Sequence, residues 1–374
     1  TNTWTVLPQY AGLNFRDGKT GGFRGIFDGK GYNIDNLHIT TWTGSFCGQI
    51  AQAGVIRNVS FTNVRLEGAA ALISVGGNGT IENIYAHIAS AITGNSGNSD
   101  RTGVFFAGDS MAESRVNNCF VDFGSIPAAG DKGFVGLGSF HLGYGILNGV
   151  YGVGIAPEQA ILQISSIGGG DTYGGFVSYG DFLRQGIDLS GWDTDFWSVE
   201  NGIPYPKNLP FPEGVIPEVT TEQYTGTGVT VTLNGLSKYD VVTLSEETEK
   251  LGITVSGNLL TVPDGVEKGS LISFSVSSVF DPEKKIDLAL SVVESRSLQL
   301  EDAVDVEIEA GETFTVDLGG LASGIEGTLC GVTMDNKAFE NISYSDGKLV
   351  IGSANLVGTW GEKTIVAEFR LEED

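Results

Sequence analysis

Cysteine, histidine and basic side chains are scarce in this chain, and each shortage excludes a class of protein. The three cysteines are far apart and form no CxxC pair, so we expect small core residues rather than a disulfide framework or a zinc site. The 21 lysines and arginines face 46 acidic residues, which gives a net charge of −25. A surface this acidic repels phosphates, so we expect neither nucleic acid nor an anionic membrane as a partner.

Long apolar runs and familiar catalytic signatures are also missing. No stretch reaches the length of a transmembrane helix, so we expect no membrane insertion by this segment. The sequence contains no HExxH, GxSxG, Walker, Rossmann or EF-hand motif. It begins in mid-pattern at Thr1, from which we expect that a targeting segment has been removed from an extracellular protein.

Glycine is abundant, with 55 of 374 residues, and it accompanies an internal repeat. One recurring line consists of an aliphatic residue, any residue, Asn, and then a small or aliphatic residue. It occurs at 34–37, 56–59, 81–84, 116–119 and 146–149. We expect the aliphatic side chains to point inward and to stack from turn to turn. Each Asn would lie at a bend that tolerates left-handed backbone, with its amide bonded to the amides above and below.

A second recurring line falls between these segments and consists of Gly followed within two residues by Phe. It occurs at 44–48, 103–106, 133–136 and 175–177, and 71–76 fills the same slot without an aromatic residue. The Asn-to-Asn spacings are 22, 25, 35 and 30 residues. Two lines per repeat predict a β-solenoid in which each turn contributes two or three short strands.

These residues resemble a known family of bacterial surface proteins. The stretch FRGIFDGKGYNIDNL at 23–37 resembles the opening turn of right-handed β-helix surface proteins, and the two recurring lines resemble their GLUG repeats. The stretch WDTDFWSVENGIPYP at 192–206 resembles the segment that closes such repeats. The resemblance covers about residues 4–209. It implies a right-handed parallel β-helix and a location outside the cell, either secreted or on the cell surface.

Proline marks the end of the solenoid. Five of the ten prolines fall within 204–217, which predicts an extended, semi-rigid linker. Beyond it, alternating segments predict strands at 228–233, 239–244 and 270–276, and hairpins at 253–262 and 342–351. Helix signals are confined to single turns at 157–162 and 179–184. The charge is concentrated in 218–374, where 28 acidic residues face 10 basic ones.

The predicted fold class is therefore all-β, with a right-handed parallel β-helix followed by two small Ig-like β-sandwich domains. The predicted boundaries are 1–209 for the β-helix, 210–217 for the linker, and 218–294 and 295–374 for the two sandwiches.

Saccharide binding needs exposed aromatic rings with polar groups nearby, and the late turns of the solenoid supply both. The predicted ligand-binding residues are Tyr144, Tyr151, Asp171, Tyr173, Tyr179 and Asp181. The alternative is that such aromatics cap the open end of the coil. For Trp192 and Trp197 we favour capping; for Tyr173 and Tyr179 both interpretations stay open.

A catalytic site is the competing hypothesis, because β-helices also carry polysaccharide lyases and hydrolases. A lyase uses carboxylates to hold Ca²⁺ against an acidic sugar and a basic residue to take the proton, whereas a hydrolase uses two or three carboxylates. The alternative catalytic residues are Asp100, Arg101, Asp109, Asp131, Lys132 and His141. We favour a solvated loop with ordinary charge pairs for this set. Ca²⁺ at Asp188, Asp193 and Asp195 is a further alternative to a simple turn, and no other cofactor is expected.

The function that we expect is non-catalytic: a bacterial cell-surface or secreted protein with an adhesin or glycan-binding role, in which the Ig-like modules act as spacers. Its partners would be host or microbial glycans or surface proteins. The alternatives are a polysaccharide lyase or glycoside hydrolase that uses the β-helix groove, and a structural stalk segment. Because repeated positions build the scaffold, we expect any site in the irregular insertions at 94–110 and 165–185.

Overall fold

The computed structural model describes two parts of the chain. In the first part it covers residues 23–39, 45–50, 53–67, 71–75, 78–92, 101–108, 114–125, 134–140, 144–162, 166–167 and 172–293. In the second part it covers six strands between 314 and 371. The fold is all-β, as predicted. Thr1–Glu294 form one compact unit and Ser295–Asp374 form another, and each is described by itself.

The first part begins with fourteen strands that we call the parallel region (residues 23–176). They are β1 (Ile26–Asp28), β2 (Asn33–Asp35), β3 (His38–Ile39), β4 (Cys47–Ile50), β5 (Val55–Glu67), β6 (Ile73–Val75), β7 (Thr80–Ile92), β8 (Arg101–Gly108), β9 (Ser114–Ser125), β10 (Phe134–Phe140), β11 (Tyr144–Val153), β12 (Ile161–Leu162), β13 (Ser166–Ile167) and β14 (Thr172–Phe176). A 3-10 turn at Pro157–Gln159 confirms the first predicted helical turn.

The strands of the parallel region alternate between two parallel sheets. The first sheet has β5, β7, β9 and β11 at its centre, with β1, β2 and β3 beside β5 and with β13 and β14 beside β11. The second sheet has the order β12-β10-β8-β6-β4. From β4 to β13 every strand lies in the opposite sheet from the one before it. This arrangement is compatible with a parallel β-helix.

Inward side chains stack from turn to turn, as the repeat predicted. Two rows of the first sheet consist of Ile56, Ile81, Val116 and Leu147, and of Val59, Ile84, Cys119 and Val150. All eight are buried in one apolar core together with Phe61, Phe105, Phe106 and Phe123. Burial raises the pKa of the Cys119 thiol far above its ordinary value, which suits a core residue rather than a reactive one.

Left-handed asparagines form a bend that we call the Asn corner. Asn58, Asn83 and Asn118 are in register and have φ values of 54°, 52° and 49°. The side-chain amide of Asn83 donates to Asn58 Oδ1 at 3.0 Å, and that of Asn58 donates to Asp28 Oδ1 at 3.2 Å. The predicted contact between amides is thus present between Asn83 and Asn58. Asn58 bonds onward to a carboxylate, and Asn83 Oδ1 has no hydrogen-bond partner among the described residues.

Two of the five predicted Asn repeats are in a different register. Ile34 pairs with Phe61, which places Asn36 at a second bend rather than beside Asn58. Asn148 pairs with Asn117, so the corner position of the last turn is Gly149, with φ of 66°. Glycine has no Cβ and adopts a positive φ without a steric penalty, so it can replace Asn at this corner.

Of the five segments of the second recurring line, three lie in register in the second sheet, one is shifted in register and one belongs to the first sheet. Segments 44–48, 71–76 and 103–106 contribute β4, β6 and β8 to the second sheet. Segment 133–136 contributes the start of β10, but its register is shifted, since Gly136 pairs with Gly103. Segment 175–177 belongs to the first sheet, because β14 pairs with β11, and the slot in the second sheet is filled by β12.

The chain then folds back along the Asn corner. It contains α1 (Tyr179–Arg184), β15 (Trp197–Glu200) and β16 (Ile203–Pro206), and β15 and β16 form an antiparallel hairpin. Helix α1 is the second predicted helical turn; Ser178 caps it by accepting a hydrogen bond from Asp181 N at 3.1 Å. We call residues 187–209 the strap.

Three contacts show where the strap runs. At the last turn, Gly149 lies against the Trp192 indole. In the middle, the Asn83 amide donates to Asp193 Oδ2 at 3.2 Å. At the first turn, Asn208 fills the space beside Gly31. The strap therefore spans the corner from one end of the parallel region to the other.

The remaining strands of the first part form module 1 (residues 218–293). Its elements are β17 (Tyr224–Thr225), β18 (Val229–Thr232), β19 (Asp240–Leu244), α2 (Glu246–Lys250), β20 (Thr254–Ser256), β21 (Leu259–Val262), β22 (Leu271–Ser278) and β23 (Lys285–Val292). Sheets β17-β23-β22-β19 and β18-β21-β20 share one apolar core, and the predicted hairpin at 253–262 is confirmed. Among the described residues, no helix is long and apolar enough to span a membrane.

The second part is module 2, with β24 (Phe314–Asp317), β25 (Gly327–Met334), β26 (Lys337–Ala338), β27 (Ile342–Ser345), β28 (Lys348–Ile351) and β29 (Ile365–Leu371). They form two three-stranded antiparallel sheets, β24-β28-β27 and β26-β25-β29. Strands β27 and β28 pair as the second predicted hairpin.

Candidate functional site

The outer face of the first sheet has two different halves, one on each side of the Asn corner. Before the corner lies a polar row of Asp28, Arg57, Glu82, Asn117 and Asn148. After the corner lies a row of Ser60, Tyr85, Phe120 and Tyr151, which we call the aromatic row because three of its four members are aromatic. An aromatic row on a flat parallel sheet is the arrangement that a saccharide-binding groove would use.

The aromatic row is covered by the protein itself. Tyr85 packs edge-on against Tyr205 of the strap, with ring centroids 5.2 Å apart, and Phe120 packs against Phe182 of α1 at 5.3 Å. Tyr151 stacks on Trp192 of the strap at 6.3 Å with an angle of 7°. These rings belong to a second buried apolar cluster that includes residues of module 1.

Module 1 meets this face around one buried carboxylate. Asp122, 3% exposed, neighbours the aromatic row on β9. The Lys238 ammonium donates to Asp122 Oδ1 and to the Phe123 carbonyl, and Tyr239 Oη donates to Asp122 Oδ2 at 3.2 Å. Burial and then the negative charge of Asp122 raise the pKa of Tyr239 far above its ordinary value, so its hydroxyl remains a donor. We call this contact the joint.

Two of the predicted ligand-binding residues belong to this covered face, and the structure places their rings in the core instead. Tyr151 is 7% exposed and Tyr179 is 1% exposed. Tyr179 stacks on Tyr239 of module 1 at 5.6 Å, and its backbone N–H donates to the Lys238 carbonyl at 2.8 Å. Neither ring presents a face for a sugar, because the strap and module 1 occupy that position.

Asp181 also has a structural environment. Its carboxylate accepts hydrogen bonds from the Ser178 N-cap, from Arg184 at 2.6 Å and from Gly257 N of module 1 at 3.1 Å. Burial opposes ionisation, but these donors outweigh it and lower the pKa of Asp181. The carboxylate therefore joins α1 to the β20–β21 hairpin.

The other predicted residues are less constrained. Tyr173 is 38% exposed on β14, where a ligand can reach it. Tyr144 and Arg101 are placed only by their backbone, in β11 and at the start of β8. Asp171 and the alternative catalytic residues Asp100, Asp109, Asp131, Lys132 and His141 lie outside the described residues.

An open pocket of about 370 Å³ lies in the strap, and we call it the strap pocket. Its lining consists of Ile187, Asp188, Leu189, Ser190, Trp192, Thr194, Trp197, Val199 and Gly202. The rings of Trp192 and Trp197 pack edge to face, with centroids 4.8 Å apart and an inclination of 62°. They are 6% and 2% exposed, so the exposed apolar part of the lining is Val199, at 48%. The predicted capping role for these two rings needs correction, because they lie along the side of the parallel region and not over an open end.

The polar groups of the strap pocket are well defined. Asp188 is exposed, and its Oδ1 accepts a hydrogen bond from Ser190 N at 2.9 Å. The Ser190 N–H and hydroxyl lower the pKa of Asp188, which keeps its carboxylate ionised. Trp197 is 2% exposed, and its Nε1 has no acceptor within the described structure. A buried donor without an acceptor is uncommon in native proteins.

The residues proposed as Ca²⁺ ligands, Asp188, Asp193 and Asp195, lie in turns that their own hydrogen bonds close. Asp193 Oδ1 accepts from Asp195 N at 2.9 Å, and its Oδ2 accepts the Asn83 amide. In the part of the chain that the structure describes, no group of three or more His, Cys, Asp or Glu residues is arranged to hold a metal ion.

Comparison with known proteins adds no assignment. No family model, no curated protein and no solved structure matches the chain. Sequence reasoning missed Ser190 and Thr194 as site residues, because isolated hydroxyls carry no signal until the strap brings them to a common pocket. The one available signal was the pair Trp192 and Trp197 in a segment without basic residues.

Proposed function

We propose that this chain is a non-catalytic saccharide-binding protein, secreted by or displayed on a bacterial cell, and that the strap pocket is its binding site. The observation that carries the proposal is that one open pocket is lined by the Ser190 and Thr194 hydroxyls, the Asp188 carboxylate and the exposed apolar side chain of Val199. Sugars bind to such surfaces through their apolar C–H faces, while their hydroxyl groups bond to the polar rim. The pocket volume of about 370 Å³ falls within the usual range of small-ligand sites.

The finer fold is part of the same proposal. We infer that the parallel region is a right-handed β-helix similar to those with GLUG repeats, and that modules 1 and 2 are Ig-like spacers. Support comes from the alternation of strands between two parallel sheets and from the two-sheet core of module 1. The strap also includes 192–206, the stretch that resembles a closing segment of such repeats.

A structural stalk segment is the second candidate, and the joint favours it. The Asp122 contacts and the ring cluster fix module 1 against the parallel region, as a rigid rod would require. A stalk needs no ligand, so retention on saccharides separates the two candidates.

The test is retention of the full chain on an immobilised glycan array, combined with incubation with polysaccharides. We expect retention without new products. Unsaturated or reducing products would show a lyase or hydrolase instead, and the absence of both retention and products would leave the stalk.

A matched pair of variants locates the site. Val199 is 48% exposed in the pocket and Val215 is 71% exposed outside it. Val199→Trp places an indole in the pocket without disturbing a core, and we expect it to weaken retention about tenfold or more because it competes with the sugar for the same volume. Val215→Trp should bind like the unmodified chain. Equal binding by both variants would exclude the strap pocket.

A further inference from the structure

We propose that the strap pocket selects saccharides that carry no acidic group. This inference rests on the proposed function and specifies its ligand class. It bears directly on the competing hypotheses, because a polysaccharide lyase acts on acidic sugars.

The charges around the pocket carry the inference. Residues 187–206 contain four acidic side chains, Asp188, Asp193, Asp195 and Glu200, and no Lys, Arg or His. The lining itself contains one charged side chain, Asp188, and the hydrogen bonds from Ser190 keep it ionised. An anionic ligand would therefore meet only negative charge at the pocket.

The nearest basic residues in sequence do not change this balance. Arg184 is bound to Asp181 at 2.6 Å, which commits its guanidinium to that carboxylate. Lys207 follows the hairpin and does not line the pocket. Proteins that recognise sugar carboxylates or sulfates use arginine or lysine donors for bidentate or charge-assisted bonds, and the pocket lacks both types.

The remaining lining suits an uncharged sugar. Val199 offers exposed apolar surface, and Ser190 and Thr194 offer hydroxyl donors and acceptors. Asp188 is then an acceptor for sugar hydroxyl groups, for which a carboxylate is a strong partner. Ser190, Thr194 and Asp188 can each bond to the hydroxyl groups of a neutral saccharide, whereas Asp188 opposes an acidic one.

The experiment uses pairs of oligosaccharides that differ only in the acidic group: oligogalacturonate with its methyl ester, and cellohexaose with its C6-oxidised cellouronate form. Binding to the full chain is measured by calorimetry at low and at high salt. For any pair that binds, we expect the uncharged member to bind about tenfold more tightly at low salt, and the difference to shrink as salt screens the charges.

Two variants of an exposed position test the cause. Asp188→Asn retains the side-chain acceptor for Ser190 N and should reduce the ratio of the two affinities by about threefold. Asp188→Lys should abolish or reverse the preference for the uncharged member. Circular dichroism melting checks that both variants stay folded.

The outcomes separate this inference from the proposal that it extends. An acidic member that binds as tightly as its uncharged partner, and loses that binding in Val199→Trp, would overturn the selectivity and leave the binding function intact. If no saccharide in either pair or on the array is retained, the binding function fails and the selectivity fails with it.

Discussion

The polar row and the aromatic row lie on the same sheet, in the same strands, yet they meet different surroundings. In the polar row, Arg57 stays half exposed and bonds to Asp28 at 3.0 Å and to Glu82 at 3.5 Å. In the aromatic row, Phe120 is fully buried beneath α1 and the joint. The side of the sheet that looks most suited to ligands is therefore the side that the protein uses to hold itself together.

The difference follows from what each row does when it is left in water. A continuous strip of aromatic rings on an open sheet is an exposed apolar patch, which promotes aggregation. The strap and module 1 remove that patch, and the polar row needs no cover because its charges pair across neighbouring strands. The covered rings are closed to a ligand, whereas the strap pocket is open.

Removal of a ring from the covered half should give the largest effect. Tyr179→Ala deletes a fully buried side chain between Phe120 and Tyr239, and we expect it to lower the free energy of unfolding by about 3–5 kcal/mol. Tyr32→Ala is the control: that ring is 78% exposed, so its loss should change stability by less than about 0.5 kcal/mol. Urea denaturation followed by fluorescence measures both. Equal effects of the two variants would contradict the role of the buried Tyr179 ring in holding the covered face together.

The joint should give the next largest effect. Lys238→Met leaves the buried Asp122 carboxylate without its cation, and we expect a loss of about 3 kcal/mol. Lys250→Met removes a pair with Glu246 in which both side chains are mostly exposed, and its loss should be about 0.5 kcal/mol or less.

A third variant distinguishes a lost pair from a stranded charge. The double variant Lys238→Met with Asp122→Leu should recover part of the stability, since no buried charge remains unpaired. A double variant that is no more stable than Lys238→Met would contradict this explanation of the joint.

The Asn corner separates the two rows, and its backbone conformation should give an intermediate effect. Asn83→Ala places alanine, which has a Cβ but no side-chain hydrogen bond, at a φ of 52°. It also removes the amide that bonds to Asn58, and we expect the free energy of unfolding to fall by about 2 kcal/mol. Asn83→Gly removes the amide but relieves the backbone, as Gly149 does in the last turn, so its loss should be about 1 kcal/mol. If Gly were worse than Ala, backbone strain would not be the reason for Asn at this corner.

The repeat made much of this fold predictable. The inward positions of Ile81 and Ile84 were predictable from the alternation of side chains along a strand. The bends at Asn58 and Asn83 were predictable because Asn tolerates left-handed backbone. Both are local properties of the chain. The register of Asn148 was not predictable in the same way. Asn148 and Gly149 both tolerate the bend, and only pairing with Asn117 decides between them.

The candidate site was less accessible to sequence reasoning. The composition of the strap predicted aromatic and acidic groups near one another, but not the surface on which they would lie. Tyr151 and Tyr179 were predicted as ligand-binding because aromatic side chains look alike whether exposed or buried. Burial of Tyr179 depends on Lys238 and Tyr239, which lie some 60 residues away in a module that the repeat does not describe.

The smallest effect should come from the polar row, as a change in the pH dependence of stability. The Lys30 N–H donates to Asp28 at 2.9 Å and, with the Asn58 amide and Arg57, holds the pKa of Asp28 below its ordinary value of 3.8. A carboxyl whose pKa is lower in the folded state stabilises the fold above its unfolded pKa, and that contribution disappears as the pH falls through the folded pKa. Asp28→Asn should therefore reduce the amount by which the free energy of unfolding falls between about pH 5 and pH 2.

Asp35→Asn should act in the same direction, since the Thr62 hydroxyl and the Asn63 amide lower the pKa of Asp35. Urea midpoints measured across this range test both variants and their combination, which should be flatter than either alone. A curve for Asp28→Asn parallel to that of the unmodified chain would mean that the exposed charges of the polar row contribute nothing measurable to the fold.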